Sequence, residues 1–128
     1  MRLLLDTHAF LWWVNDAPEL SPKARKAIAD PGNDCLLSLA SCWEIAIKAS
    51  IGKLKLSGAV ERFIPEQLAA NHFGRLDIDF RHVARVAAMP FHHRDPFDRL
   101  LAAQAEEEKL VIVSADAVFQ AYGVKRVW

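Results

Sequence analysis

Two short apolar runs set the frame of this chain: RLLL at Arg2–Leu5 and LVIV at Leu110–Val113. Each is too short for a helix and apolar on both faces, which predicts strands buried inside a parallel sheet. Each run leads into an acid, Asp6 before Thr7 and Asp116 at the end of Ser114-Ala115-Asp116. Open parallel sheets bind ligands outside the carboxyl ends of their strands, so neighbouring strands would bring Asp6 and Asp116 together.

Helical periodicity fills the intervals. Thr7–Asn15 is apolar nearly all round, so the helix it predicts must be covered, and Trp12 and Trp13 are candidates for the core or for a partner surface. Ser21-Pro22 is a cap followed by a first-turn proline, and the helix it opens stops at Pro31-Gly32. Cys35–Leu39 predicts a strand. Ser41 and Glu44 have the spacing of a capping box, opening a helix that Gly52 ends. A helix over 58–71, a strand over Arg75–Asp79 and a helix over Phe80–Met89 come next. Asp95 and Pro96 then cap and start a helix to about Lys109, AVFQAY forms a short helix stopped by Gly123, and Val124–Trp128 is a last strand. Strands alternating with helices across short connections imply right-handed crossovers. The expected fold is α/β, a three-layer α/β/α sandwich around a mostly parallel sheet, one domain over residues 1–128.

Composition narrows the partners. With 16 basic and 16 acidic residues the net charge is zero, so no overall field announces a nucleic acid or a membrane, and any such role needs a local patch. Two cysteines are too few for a disulfide scaffold or a cysteine zinc site, which points to a reducing compartment. No apolar run nears the ~20 residues of a membrane span, and no signal peptide is recognisable, so a cytoplasmic protein is expected.

Asp6, Glu44, Asp98 and Asp116 all fall at strand ends or helix starts. Singly, each is well explained as a helix cap or, for Glu44, as the ion-pair partner of Lys48. Together they would meet on one edge of the sheet, where four anions repel, and capping requires no such meeting. A hard divalent cation removes the repulsion. Mg²⁺ or Mn²⁺ takes oxygen ligands and is usually held by a few carboxylates plus substrate phosphate, where it polarises phosphoryl oxygens and activates water.

These residues carry a family likeness. LLLDTHAFLWW at the start, Glu44 in a helix, HRDPFDRLLAAQA in the middle, the Ser114-Ala115-Asp116 turn and the YGVKRVW ending resemble the PIN-domain nucleases, and within them the VapC-type toxins of toxin–antitoxin pairs. The resemblance implies an endoribonuclease dependent on Mg²⁺ or Mn²⁺, a homodimer, and inhibition by a small cognate antitoxin that blocks the cleft. By position, Asp6, Glu44, Asp98 and Asp116 match the family's acidic quartet, and Ser114, with Thr7, would support it. Asp95 is assigned the cap; Asp34, Asp77 and Asp79 are read as solvated.

A basic rim of Lys48, Lys53, Lys55, Arg94 and Arg99 would meet RNA phosphates without sequence preference. His92 and His93 read as part of that loop cation cluster, since no third nitrogen ligand has suitable spacing for a transition metal. Two other classes stay open at this stage. One is a non-catalytic protein-binding module whose acids are all caps. The other is a receiver-like, Mg-binding phosphoacceptor domain, which would place two adjacent acids after the first strand where this chain has Asp6 alone.

Overall fold

A computed structural model describes residues 1–128. In chain order the elements are β1 (Arg2–Leu5), α1 (Thr7–Val14), α2 (Pro22–Ala29), β2 (Asp34–Ser38), α3 (Leu39–Ser50), α4 (Val60–Asn71), β3 (Gly74–Leu76), α5 (Phe80–Ala88), α6 (Pro96–Glu108), β4 (Val111–Val113), α7 (Val118–Ala121) and β5 (Arg126–Val127). The sheet has the order β3-β2-β1-β4-β5, and every neighbouring pair is parallel, so the expected "mostly parallel" sheet is wholly so.

Period-two alternation builds the two faces. Leu3 and Leu5 of β1 enter one apolar cluster with Phe10, Ala24, Ile28, Phe63 and Ile64, from α1, α2 and α4. Leu4 points the other way, into a cluster with Leu101, Ala102 and Ala105 of α6 and Phe119 of α7. Helices therefore cover both faces, the three layers expected. Leu3, Leu4 and Leu5 are fully buried, each contributing about 1.5–3 kcal/mol.

Three local expectations shift. The third helix begins at Leu39, capped by Ser38, whose Oγ accepts from the Ala40 N–H at 3.0 Å, so Ser41 lies inside the helix and forms no capping box with Glu44. Ser38 is recruited because the same hydroxyl donates to the buried Gln104 Oε1 of α6, tying the end of β2 to the far layer. The strand expected over Arg75–Asp79 ends at Leu76, and Asp79 is no solvated acid but the cap of α5. Trp12 and Trp13 are part-buried against the fold: Trp12 packs on His8 and Trp128, while Trp13 packs on Phe73 and donates its indole N–H to Asn71 at 2.9 Å.

The exposed apolar surface lies elsewhere. Leu39, Trp43, Ile47 and Ile51 form a stripe at four-residue spacing along α3, with Trp43 60% exposed. Trp43 packs edge-on against Phe97 at 5.2 Å and, with Val83, Val86, Pro96 and Leu100, lines a shallow apolar groove over α5 and α6.

Candidate functional site

The sheet order reverses between β1 and β4, and at such a switch point the connections diverge to opposite faces and leave a crevice outside the strand ends. Asp6 follows β1 into that crevice and the Ser114–Asp116 turn follows β4 into it. The Asp6 N–H donates to the Val113 carbonyl at 3.1 Å, fastening the two strand ends together.

Asp6 is the N-cap of α1: its Oδ1 accepts from the Ala9 N–H at 2.8 Å. The buried Ser114 hydroxyl also bonds this carboxyl. Burial, partly offset by these two bonds, raises the Asp6 carboxyl above the ordinary carboxylate range. Ser114 Oγ in turn accepts from the Asp116 N–H at 3.0 Å, so one hydroxyl orients both acids. Asp116 spends Oδ1 on the Val118 N–H at 2.9 Å and is otherwise half-exposed.

Glu44 reaches in from α3. Its Oε1 accepts from the buried Thr7 hydroxyl at 2.7 Å, and its Oε2 meets Lys48 at 3.0 Å. Lys48 is thereby committed to Glu44, one turn along the helix, and is no free member of a phosphate-binding rim. Asp98, in the first turn of α6, has its N–H held at 3.3 Å by Asp95, which takes the capping role expected of it. Its carboxyl is pushed up to about 7, first by burial, then by the charge of Asp95, with Asp6 and Glu44 adding to the repulsion. Asp6, Glu44 and Asp98 thus act on one another across the crevice, and of the four acids only Glu44 has a lysine or arginine partner.

His93 is the residue sequence reasoning placed wrongly. Its Nε2 lies 3.0 Å from Asp98 Oδ2 and 3.4 Å from Asp116 Oδ2, so it stands between two site carboxylates rather than in an outward cation cluster. The only signal in the chain was its position two residues before the Asp95 cap.

Arg99 is a correction of another kind. It is buried, not part of a rim, and its guanidinium donates to the carbonyls of Pro90 at 2.9 Å and Val86 at 3.1 Å and to the Tyr122 hydroxyl at 3.2 Å, with the Phe91 ring 4.2 Å away. Position 99 falls on the inward side of α6, where an arginine must satisfy its donors internally. Lys53, Lys55 and Arg94 are exposed and enter none of the ion pairs, leaving them as the free cations of the expected set. Cys35 is buried and its thiol is pushed up to about 11, which removes it from nucleophilic chemistry.

A wholly parallel α/β/α sheet with a carboxylate crevice at its switch point defines the class of this molecule. The family model for the PIN domain matches residues 3–125, and the chain belongs to that family. Ribonuclease VapC22 of Mycobacterium tuberculosis is 30% identical over 115 residues, covering 89% of this chain and 86% of that protein. Among solved structures, VapBC2 from Rickettsia felis bound to a DNA fragment of its promoter has a TM-score of 0.72 at 15% identity, covering 98% of this chain and 97% of that one. A toxin–antitoxin complex from Klebsiella pneumoniae has a TM-score of 0.57 at 17% identity, covering 89% and 86%. These two likenesses carry the fold. No helix is long and apolar enough to cross a membrane.

Proposed function

We propose that this PIN-domain protein is an endoribonuclease, the toxin of a toxin–antitoxin pair, and that Asp6, Glu44, Asp98 and Asp116 hold Mg²⁺ or Mn²⁺ in the switch-point crevice. The observation that carries this reading is the gathering of these carboxylates outside the ends of β1 and β4, where only Glu44 has a lysine or arginine partner; the Asp98 carboxyl, pushed up to about 7 by burial and neighbouring acids, agrees with it. A group of oxygen donors that cannot all ionise in isolation, with a single lysine between them, fits a hard divalent cation. Relatives named as ribonuclease VapC and as toxin–antitoxin complexes support the same reading.

When bound there, the cation would polarise a phosphoryl oxygen and favour water as the nucleophile. The chain's own residues do the positioning. Ser114 and the start of α1 fix the Asp6 carboxyl, Thr7 and Lys48 fix both oxygens of Glu44, and the Asp95 cap sets the first turn that carries Asp98. Asp98 would be held ionised by a bound cation, so cation uptake would release a proton below about pH 7. Lys53 and Arg94 meet flanking phosphates of single-stranded RNA, an affinity that weakens with salt.

The partners of this reading are RNA, a small cognate antitoxin and a second copy of the chain. The exposed stripe along α3 and its groove at Trp43 and Phe97 are the apolar surface such protein contacts require. A short reading frame abutting this one and encoding a small DNA-binding protein is the genetic signature expected.

The decisive experiment is cleavage of total RNA with Mg²⁺ or Mn²⁺ by the parental protein and by Asp6→Asn. Asparagine keeps the acceptor for Ala9 and loses the charge, so the fold should persist while cleavage falls more than about a hundredfold. Cleavage at the parental rate by a folded variant would return the acids to the role of caps.

A further inference from the structure

We propose that His93 is a resident occupant of the carboxylate crevice, standing where a divalent cation would sit between Asp98 and Asp116, and that the cation enters by displacing this side chain while the backbone around it stays in place. The inference rests on the cation reading of the crevice and adds what the chain does before the cation arrives.

The ring nitrogens identify the role. Nδ1 accepts the Asp95 N–H at 3.1 Å, so Nδ1 carries no hydrogen and the neutral ring bears its hydrogen on Nε2. That Nε2–H is directed at two acceptors, Asp98 Oδ2 at 3.0 Å and Asp116 Oδ2 at 3.4 Å. Neutral imidazole thus satisfies, by hydrogen bonding, two carboxylates that no arginine or lysine approaches.

The same tautomer argues against His93 as a metal ligand. A ligating nitrogen needs a free lone pair, and Nε2 has its hydrogen there. Moving that hydrogen to Nδ1 would turn Nδ1 from acceptor into donor and leave the Asp95 N–H facing it, at the cap of the helix that carries Asp98. The distances also conflict. Oxygen ligands lie about 2.0–2.1 Å from Mg²⁺, so an ion held by both Oδ2 atoms on the side where the ring lies would press on a hydrogen-bearing nitrogen 3.0 and 3.4 Å from them. On that side either the ring or the ion occupies the space.

The loop itself is fastened. The Tyr122 hydroxyl accepts the N–H groups of His92 at 3.1 Å and His93 at 3.0 Å, and Arg99 donates to that hydroxyl and to the Pro90 carbonyl. With the backbone pinned on one side by Tyr122 and on the other by the α6 cap, rotation of the His93 side chain is the movement left. Its ring is about one-quarter exposed, so the outward path is open.

The test is Mn²⁺ affinity, measured from the electron paramagnetic resonance of free Mn²⁺, for the parental protein, His93→Ala and His93→Gln. Displacement of an occupant held by a charge-assisted hydrogen bond should cost the parental protein about tenfold in affinity. His93→Ala should therefore bind Mn²⁺ about tenfold more tightly, and melt lower than the parental protein when cation-free. His93→Gln, which keeps an N–H donor, should fall between. Unchanged or weaker binding by His93→Ala overturns the proposal, weaker binding being the sign of a residue that supports the ion. No uptake by the parental protein would overturn the cation reading of the crevice as well, and so separates the two failures.

Discussion

Two clusters in this protein share a composition of one histidine and two carboxylates and differ in charge balance: Asp79, His82 and Glu108 in one, His93, Asp98 and Asp116 in the other. His82 is 1% exposed and saturated, its Nδ1 accepting the Asp79 N–H at 3.1 Å and its Nε2 lying 2.9 Å from Glu108. Arg81 reaches both Asp79 and Glu108, and the Asp79 carboxyl is held below the ordinary range chiefly by the Arg81 hydrogen bond. In the second cluster no arginine or lysine intervenes, and Asp98 moves the opposite way, up to about 7. The same residue types make a closed helix cap where Arg81 supplies countercharge, and leave a raised carboxyl where burial and the nearby Asp95 oppose ionisation.

The contrast can be broken by mutation. The largest effect on stability is expected from His82→Ala, which empties a buried volume and strips partners from Asp79 and Glu108. Urea denaturation should show a loss of about 2–4 kcal/mol, while the melting shift induced by Mn²⁺ keeps its parental size. A vanished Mn²⁺ shift would mean that the ion binds at the His82 cluster and not in the crevice. A smaller effect separates the aspartates by pH. Because the folded Asp98 carboxyl holds its proton more tightly than in the unfolded chain, the folded state binds more protons between about pH 4 and 7, and cation-free stability falls as pH rises through that window. Asp79, shifted down, contributes stability above its ordinary value near 4 and loses it as pH falls through the lowered value. Urea midpoints across pH should show Asp98→Asn flattening the fall between 4 and 7 and leaving the acid limb alone. Smallest is Arg81→Ala, whose side chain is exposed: a melting change under about 2 °C is expected, read by calorimetry.

Much of this arrangement could be read from the chain because it depends on local order. The apolar runs before Asp6 and Asp116 could only be buried strands, and Pro96 after Asp95 could only start a helix, so three of the crevice acids fell into place with their elements. What the chain concealed depends on facing. Arg99 and Arg94 are equivalent cations in sequence, yet one turns inward to bind carbonyls and the other outward. Ser38 displaced Ser41 as cap because its hydroxyl has a partner 66 residues away, Gln104, that no window could include. Trp12 and Trp13 looked surplus to a small core and are absorbed by Phe73 and Trp128, while the exposed tryptophan is Trp43. His93 depends on both effects, a local bond to Asp95 and a distant one to Asp116.

Placing the first strand of the chain at the middle of the sheet has a consequence for biosynthesis. β1 is flanked by β2 and β4, so the aspartate made first waits for the one made last. At ribosomal speeds of about 5–20 residues per second, roughly 5 to 20 seconds separate Asp6 from Asp116. A growing polypeptide carries an unfinished crevice for that whole interval, and the carboxylates of Asp6 and Asp116 meet only once β4 and the turn after it have been made.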